Sequence, residues 1–243
     1  MASIEFRKVF KSFPGQGIVL RSFELNIPNG AFYSLLGANG AGKTTALRML
    51  VGLTNPDSGS IHIDGVDLSE NHDAARQRIA YFPDPPLLYS KLKPLEHLEY
   101  VAALWGMKMP IAYRRSIDLM EWSGLHEHKN KLIGNLSKGM KQKLAFIAGV
   151  LHDPDILLFD EPFTALDVGS AKMIKNYMKE LVANGKTIVL ATHIMQIVES
   201  FDCRIGILNQ GRLIAEGSID ELKECKYGEN IEDIFINLTQ ATA

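Results

Sequence analysis

The stretch Gly37 to Thr44 carries the clearest chemical pattern in the sequence, because it fits G-x-x-x-x-G-K-[ST]. Glycines let a backbone wrap closely around oxyanions, and the first amides of a following helix add positive partial charge. An apolar run, Ala31 to Leu36, precedes the loop, and a helical apolar pattern, Ala46 to Val51, follows it. The stretch predicts a polyphosphate-binding loop in which Lys43 neutralises the β- and γ-phosphates and the Thr44 hydroxyl ligates Mg²⁺. The alternative is a glycine-rich turn between a strand and a helix.

Asp160 and Glu161 follow the continuous apolar run Ile156 to Phe159. Such a run is typical of a parallel strand buried on both faces, and ligands bind at the carboxyl ends of these strands. Buried acids are costly unless a cation or a hydrogen-bond network meets them. We expect Asp160 to hold Mg²⁺, directly or through water, and Glu161 to orient a water that attacks the γ-phosphate. The alternative is an acidic cap on the next helix.

Three further stretches carry possible chemistry. His193 follows the predicted strand Thr187 to Thr192, so its imidazole should emerge at the same sheet edge and reach a γ-phosphate, although a lone histidine is more often a surface or packing residue. Leu136 to Met140 precedes a helix with Ser137 as N-cap, which predicts a second anion site, shared between two chains, or merely a capped helix. Phe13 could stack on an adenine or simply pack in a half-buried strand.

Composition excludes some classes of function. The 243 residues allow one large domain or two small ones, and a net charge of −2 gives no electrostatic case for a nucleic-acid partner. No apolar run approaches the length of a membrane span, and the N-terminus lacks signal-peptide features. Cys203 and Cys225 are therefore expected to be unpaired in a reducing, cytosolic setting.

The spacing of apolar residues predicts an α/β fold with a mainly parallel central sheet, because strand and helix patterns alternate after the loop. Alternation at Ile4 to Phe6 and at Phe23 to Ile27 predicts a small antiparallel β-meander. The period changes to that of helices from Leu87 to about Leu151, which predicts an inserted helical unit. A capping box at Ser218 and an amphipathic face from Ile231 predict a C-terminal helical tail.

Together these motifs resemble the ATP-binding cassette (ABC) family, in the family's order and over nearly the whole chain. Gly37 to Thr44 is similar to Walker A, Ile156 to Glu161 to Walker B with the catalytic glutamate, and Leu136 to Met140 to the signature LSGGQ. Ala165 to Asp167 is similar to the D-loop, and His193 to the switch histidine. The resemblance implies a P-loop NTPase cassette: one nucleotide-binding domain over residues 1–243, with an antiparallel β subdomain, a helical insert at about 87–151 and a tail at about 218–243.

The resemblance also implies roles for individual residues. Two cassettes would close head to tail on two ATP molecules, and hydrolysis would reopen them. The residues implied to bind ATP are Phe13, Gly37, Asn39, Gly40, Ala41, Gly42, Lys43, Thr44, Thr45, Ser137, Gly139 and Asp167. The implied catalytic residues are Glu161 and His193, and the implied Mg²⁺ ligands are Thr44, Asp160 and Asp84.

Two departures from the family pattern stand out. Asp84 replaces the Q-loop glutamine, which senses Mg²⁺ and the membrane subunit, and this shorter, charged side chain leaves metal geometry and coupling open at that loop. Lys138 and Met140 replace a glycine and the glutamine of the signature, while Ser137 and Gly139 remain for the γ-phosphate. The spelling of these motifs resembles the exporter branch that includes bacitracin and daunorubicin resistance ATPases.

The resemblance predicts an ATP-hydrolysing subunit of a membrane export complex, at the cytoplasmic face of the membrane. Its partners would be separate transmembrane permease subunits and a second cassette, identical or related, with no nucleic acid. One alternative is a soluble cassette ATPase that acts on ribosomes or DNA. The other is a regulatory cassette with low turnover, against which intact Lys43, Asp160, Glu161 and His193 argue.

Overall fold

A computed structural model describes residues 2–70, 77–224 and 230–241. Cys225 lies outside these residues, so its predicted unpaired thiol is not described. Cys203 is free and buried.

The described residues contain strands and helices over most of their length. The strands are β1 (Ala2–Phe13), β2 (Gly17–Pro28), β3 (Phe32–Leu36), β4 (Ser58–Ile63), β5 (Val66–Asp67), β6 (Ile79–Phe82), β7 (Ile156–Asp160), β8 (Thr187–Thr192), β9 (Arg204–Asn209) and β10 (Arg212–Gly217). The α-helices are α1 (Lys43–Leu50), α2 (Pro94–Leu104), α3 (Met109–Trp122), α4 (Lys138–Val150), α5 (Val168–Ala183), α6 (Met195–Glu199), α7 (Ile219–Glu224) and α8 (Ile231–Ala241).

The central sheet has six strands in the order β10-β9-β3-β8-β7-β6. All neighbours are parallel except β9 and β10, which confirms the predicted mainly parallel sheet. Every residue of β3, β7 and β8 is buried, because layers of structure cover both faces. The carboxyl ends of these strands therefore meet at one edge, where the loop before α1 also lies.

Two hydrophobic clusters cover the two faces of this sheet. Ile156 and Leu158 of β7 belong to one cluster, which includes α1 and the strands of the antiparallel sheet. Leu157 and Phe159 belong to the other, which includes the helices of the insert and α5. Successive side chains of a strand point to opposite faces, so one short strand ties both cores together.

A second sheet is antiparallel, with the order β2-β1-β4-β5. It confirms the predicted antiparallel subdomain, in which β4 and β5 form a hairpin. β1 and β2 pair as the predicted meander requires, and β4, which follows α1, also pairs with β1, which the sequence did not predict.

Residues that favour helix starts stand at the beginnings of α2 and α4, and Ser137 is the predicted N-cap. Pro94 is the first residue of α2, and the Ser137 side chain accepts a hydrogen bond from the Met140 amide at the start of α4. The capping box is reciprocal: the Ser218 amide donates to Glu221 Oε2 (2.9 Å), and the Glu221 amide donates to Ser218 Oγ (3.1 Å).

The hairpin of β9 and β10 has no counterpart in the sequence-based prediction. Its turn consists of Gln210 and Gly211, which both have positive φ angles. Glycine at the second turn position, between two apolar runs, was the available signal.

Candidate active site

The loop between β3 and α1 requires glycine at two positions. Gly42 caps α1 with a φ of 111°, and a Cβ there would lie 2.7 Å from Leu20 Cδ2. A Cβ on Gly37 would lie 2.6 Å from the Leu208 carbonyl oxygen. Real Cβ atoms do not approach so closely, so the surrounding strands leave room for backbone alone.

Neighbouring elements hold this loop in place. The Gly37 amide donates to the Thr192 carbonyl (3.3 Å), and the Gly211 amide donates to the Ala41 carbonyl (3.1 Å). The loop borders a cavity of about 310 Å³. The residues that line it are Gln16, Val19, Asn39, Gly40, Gly42, Lys43, Thr44, Thr45, Arg48 and Glu161.

Lys43 is the cation at the centre of the loop, and only 5% of its surface is exposed. Its Nζ donates to the carbonyl oxygens of Gly37 (2.7 Å) and Ala38 (3.1 Å) and lies 3.7 Å from Glu161 Oε1. Burial lowers the pKa of Lys43, and the nearby carboxylates of Glu161 and Asp160 oppose that shift. The ammonium is thus fixed against the loop's own backbone, beside the two acids.

Asp160 lies at the end of β7 and is 4% exposed. Thr44 Oγ1 donates to its Oδ1 (3.1 Å), and the Tyr81 hydroxyl donates to its Oδ2 (3.3 Å). Burial raises the pKa of Asp160, and these two hydrogen bonds oppose the rise. Burial raises the pKa of Tyr81 to about 12, and the negative charge of Asp160 adds to this rise. A carboxylate beside a hydroxyl supplies hard oxygen donors of the kind that Mg²⁺ prefers, so Asp160 and Thr44 fit this ion.

Glu161 makes the second polar cluster of the site. Its φ angle is +49°, which is uncommon for a residue with a side chain. Thr192 Oγ1 donates to Oε2 (2.8 Å), and His193 Nδ1 lies 2.8 Å from Oε1. The structure therefore brings Glu161 and His193 together at one sheet edge. Sequence reasoning missed Thr192, whose signal was a hydroxyl at the end of the strand beside β7.

Asp84 lies just beyond β6, at the same edge of the sheet, and is exposed. Among the described residues, no hydrogen bond or ion pair joins it to Asp160 or Thr44. Its role as an Mg²⁺ ligand stays a prediction.

Ser137, Gly139 and Asp167 do not line the cavity at Lys43. The Asp167 carboxylate caps α5 by accepting hydrogen bonds from the Ser170 amide (2.9 Å) and hydroxyl (2.8 Å). The hydrogen bond from the Ser170 amide is the main cause of the lowered pKa of Asp167. A Cβ on Gly139 would lie 3.1 Å from the Ala165 carbonyl oxygen, so the start of α4 packs beside the segment that precedes α5. Within one chain, Ser137, Gly139 and Asp167 are therefore absent from the residues that line the phosphate-loop cavity.

Phe13 ends β1 and is half-buried. The Lys11 ammonium lies 5.1 Å from its ring centroid, and Lys11 is itself held by Asp57 (2.7 Å). Phe13 does not border the cavity, whereas Gln16, whose amide donates to the Phe13 carbonyl, does. Contact of the Phe13 ring with adenine stays a prediction.

A glycine loop on a helix N-terminus, with acids at the end of an adjacent parallel strand, defines a P-loop nucleotide-binding protein. The family model described as ABC transporter matches residues 20–164, more than half of the chain. The chain therefore belongs to the ABC transporter family, as the motifs predicted.

Curated relatives agree with this membership. The chain is similar to the ABC transporter ATP-binding protein NatA of Bacillus subtilis (35% identity; 90% of this chain and 89% of NatA). It is similar to the Nod factor export ATP-binding protein I of Burkholderia lata (36% identity; 97% and 77%). It is also similar to the bacitracin transport ATP-binding protein BcrA of Enterococcus faecalis (33% identity; 93% and 73%).

Solved structures confirm the predicted cassette fold. An ATP-binding subunit of an ABC transporter superposes with a TM-score of 0.89 at 30% identity, over 97% of this chain and 99% of that one. A dimeric ATP-binding cassette in a post-hydrolysis state with ADP and Pi superposes with a TM-score of 0.81 at 27% identity, over 88% and 98%. The protein is an ATP-binding subunit and an ATPase of this family. Within the described residues, no helix combines the length and apolarity needed to cross a bilayer.

Proposed function

We propose that residues 1–243 form one ABC nucleotide-binding domain that hydrolyses ATP with Mg²⁺ and moves separate transmembrane subunits. The observation that carries the proposal is the convergence of two neighbouring acids on two adjacent residues of the loop. Asp160 meets Thr44 at 3.1 Å, and Glu161 lies 3.7 Å from Lys43 Nζ.

Each group has a role that follows from its contacts. Lys43 and the loop amides would bind the phosphates, since the ammonium lies within the loop. Thr44 and Asp160 would hold Mg²⁺, which spreads the charge of the phosphates. Asp84 would complete this set. Glu161 would accept a proton from the attacking water, while Thr192 and His193 fix the direction of its carboxylate.

A second cassette would complete the site. Ser137 and Gly139 lie off the cavity of their own chain, and Ser137 caps α4, whose first amides can bind an anion. A similar cassette is known as a dimer. We therefore place Ser137, Gly139 and the segment at Asp167 against the nucleotide of a second copy or a related ATPase.

The partner in the membrane would dock beside the helical insert. A groove of about 240 Å³ runs between β6, α2 and α4, and aromatic side chains form much of its wall. Those aromatic residues are Phe82, Tyr89, Tyr100 and Trp105. An amphipathic helix suits a groove of this kind. Because the loop at Asp84 follows β6 directly, a docked helix would adjoin the nucleotide edge of the sheet.

Export is the favoured direction of transport, because one relative is by name a Nod factor export ATP-binding protein. A bacitracin transport ATP-binding protein is also similar, and we favour the cytoplasmic face of the membrane as the location. The deciding experiment is to purify the tagged protein from native membranes solubilised in detergent. A polytopic membrane protein that co-purifies would support the proposal, whereas co-purifying ribosomes or nucleic acid would overturn it.

Asp84 provides a sharper test of coupling in that purified complex. Asp84→Ala should impair transport-linked ATPase activity while basal ATP binding persists. Asp118→Ala, which removes an exposed acid of the helical insert, is the matched control. Equal activities in the two variants would make the substitution at the Q-loop incidental.

A further inference from the structure

We propose that Tyr81 is a positioning residue for the Mg²⁺-binding carboxylate, an inference that rests on the proposed ATPase function. The Tyr81 hydroxyl donates to Asp160 Oδ2 at 3.3 Å, while Thr44 donates to Oδ1 at 3.1 Å. The two oxygens of the Asp160 carboxylate therefore accept hydrogen bonds from two different residues.

Sheet register puts Tyr81 in this position. Tyr81 of β6 pairs with Leu158 of β7, and Asp160 is two residues further along β7, so all three side chains share one face of the sheet. That face packs against α1, which carries Thr44. The carboxylate therefore lies between a strand hydroxyl and a helix hydroxyl.

Burial makes the phenol hard to replace. Asp160 is 4% exposed, so bulk water has little access to Oδ2 if the Tyr81 hydroxyl is removed. The carboxylate could then turn away from the direction that leaves Oδ1 beside Thr44. Hydrogen bonds to metal-ligating carboxylates are worth roughly 10- to 100-fold in metal affinity, and we expect an effect of that size here.

The test is Tyr81→Phe in the full-length protein, with Tyr33→Phe as the matched control. Tyr33 lies on β3 of the same sheet, and its buried hydroxyl has no hydrogen-bond partner among the described residues. ATP binding is titrated by calorimetry, first in EDTA and then at increasing Mg²⁺. Thermal unfolding of each variant is followed in parallel.

Tyr81→Phe should raise the Mg²⁺ concentration for half-maximal enhancement of ATP binding by roughly 10-fold or more, while ATP affinity in EDTA is kept. The melting temperature should fall slightly, because the buried Oδ2 loses a hydrogen-bond partner. Tyr33→Phe should leave all three quantities unchanged. In the Asp160→Asn background, Tyr81→Phe should have no further effect on the Mg²⁺ dependence.

Two outcomes would overturn the inference. One is an unchanged Mg²⁺ dependence in Tyr81→Phe, and the other is an equal loss of ATP binding with and without Mg²⁺, which marks a general structural role. If the wild-type protein shows no Mg²⁺-dependent ATP binding, the proposed function fails instead, so the two failures are distinguishable.

Discussion

Glu161→Gln removes a negative charge from the site with little change in shape. A glutamine at this position can still accept a hydrogen bond from Thr192, which lies 2.8 Å from Oε2. It cannot take a proton from water, and it no longer balances the positive charge of the Lys43 ammonium 3.7 Å away. The variant therefore separates the chemistry of the carboxylate from its packing.

The expected loss follows from the role of a general base. Such groups contribute roughly 10²- to 10⁴-fold to a rate, which corresponds to about 3–5 kcal/mol in the barrier. ATP affinity should persist, because the phosphate contacts come from Lys43 and the loop backbone. Slow turnover should also favour a cassette dimer in the presence of ATP.

The assay is phosphate release at saturating ATP and Mg²⁺, with ATP binding and size-exclusion profiles measured on the same samples. Glu199→Gln is the matched control, because Glu199 is exposed at the end of α6 and away from the loop. Turnover of Glu161→Gln within about threefold of the control would refute the role of Glu161.

Two further predictions concern stability. Gly42→Ala should abolish ATP binding and lower the free energy of unfolding in urea by about 1–3 kcal/mol. The loss should be smaller for Gly40→Ala, because a Cβ at Gly40 would meet no atom within 4 Å, and equal losses in the two variants would contradict the steric argument. Burial lowers the pKa of His152 to about 4 from 6.5, so the unfolded chain takes up the proton first and stability should fall as the pH drops from about 6.5 towards 4. His152→Phe keeps the ring stacked on Trp105 (3.8 Å) and should flatten this decline in melting temperature, and an undiminished decline would assign it to other groups.

The sequence predicts the elements of the fold well, because strong local signals mark them. Buried apolar runs identified β3, β7 and β8, and the capping residue Ser137 located the start of α4. The partner of β4 was not predictable in this way, since pairing with β1 joins residues on opposite sides of the phosphate loop. The hairpin of β9 and β10 was missed although its turn carried a signal.

The candidate site was predicted as a set of residues but not as a set of contacts. Glu161 and His193 were expected at one sheet edge, where the structure places them. The contacts of Thr192 and Tyr81 with the two acids depend on strand register and on the positive φ angle of Glu161, which local sequence does not specify. Only the folded sheet shows which hydroxyl faces which acid.

The most direct test of the account is ATP binding by Lys43→Ala. The Lys43 ammonium lies within the loop, bonded to the Gly37 carbonyl at 2.7 Å, whereas Arg48 borders the same cavity from the last turn of α1. Calorimetric titration of ATP with Mg²⁺ should show that Lys43→Ala loses binding while the control Arg48→Met retains most of it. Near-native affinity in Lys43→Ala would contradict the phosphate-loop assignment on which the proposed function rests.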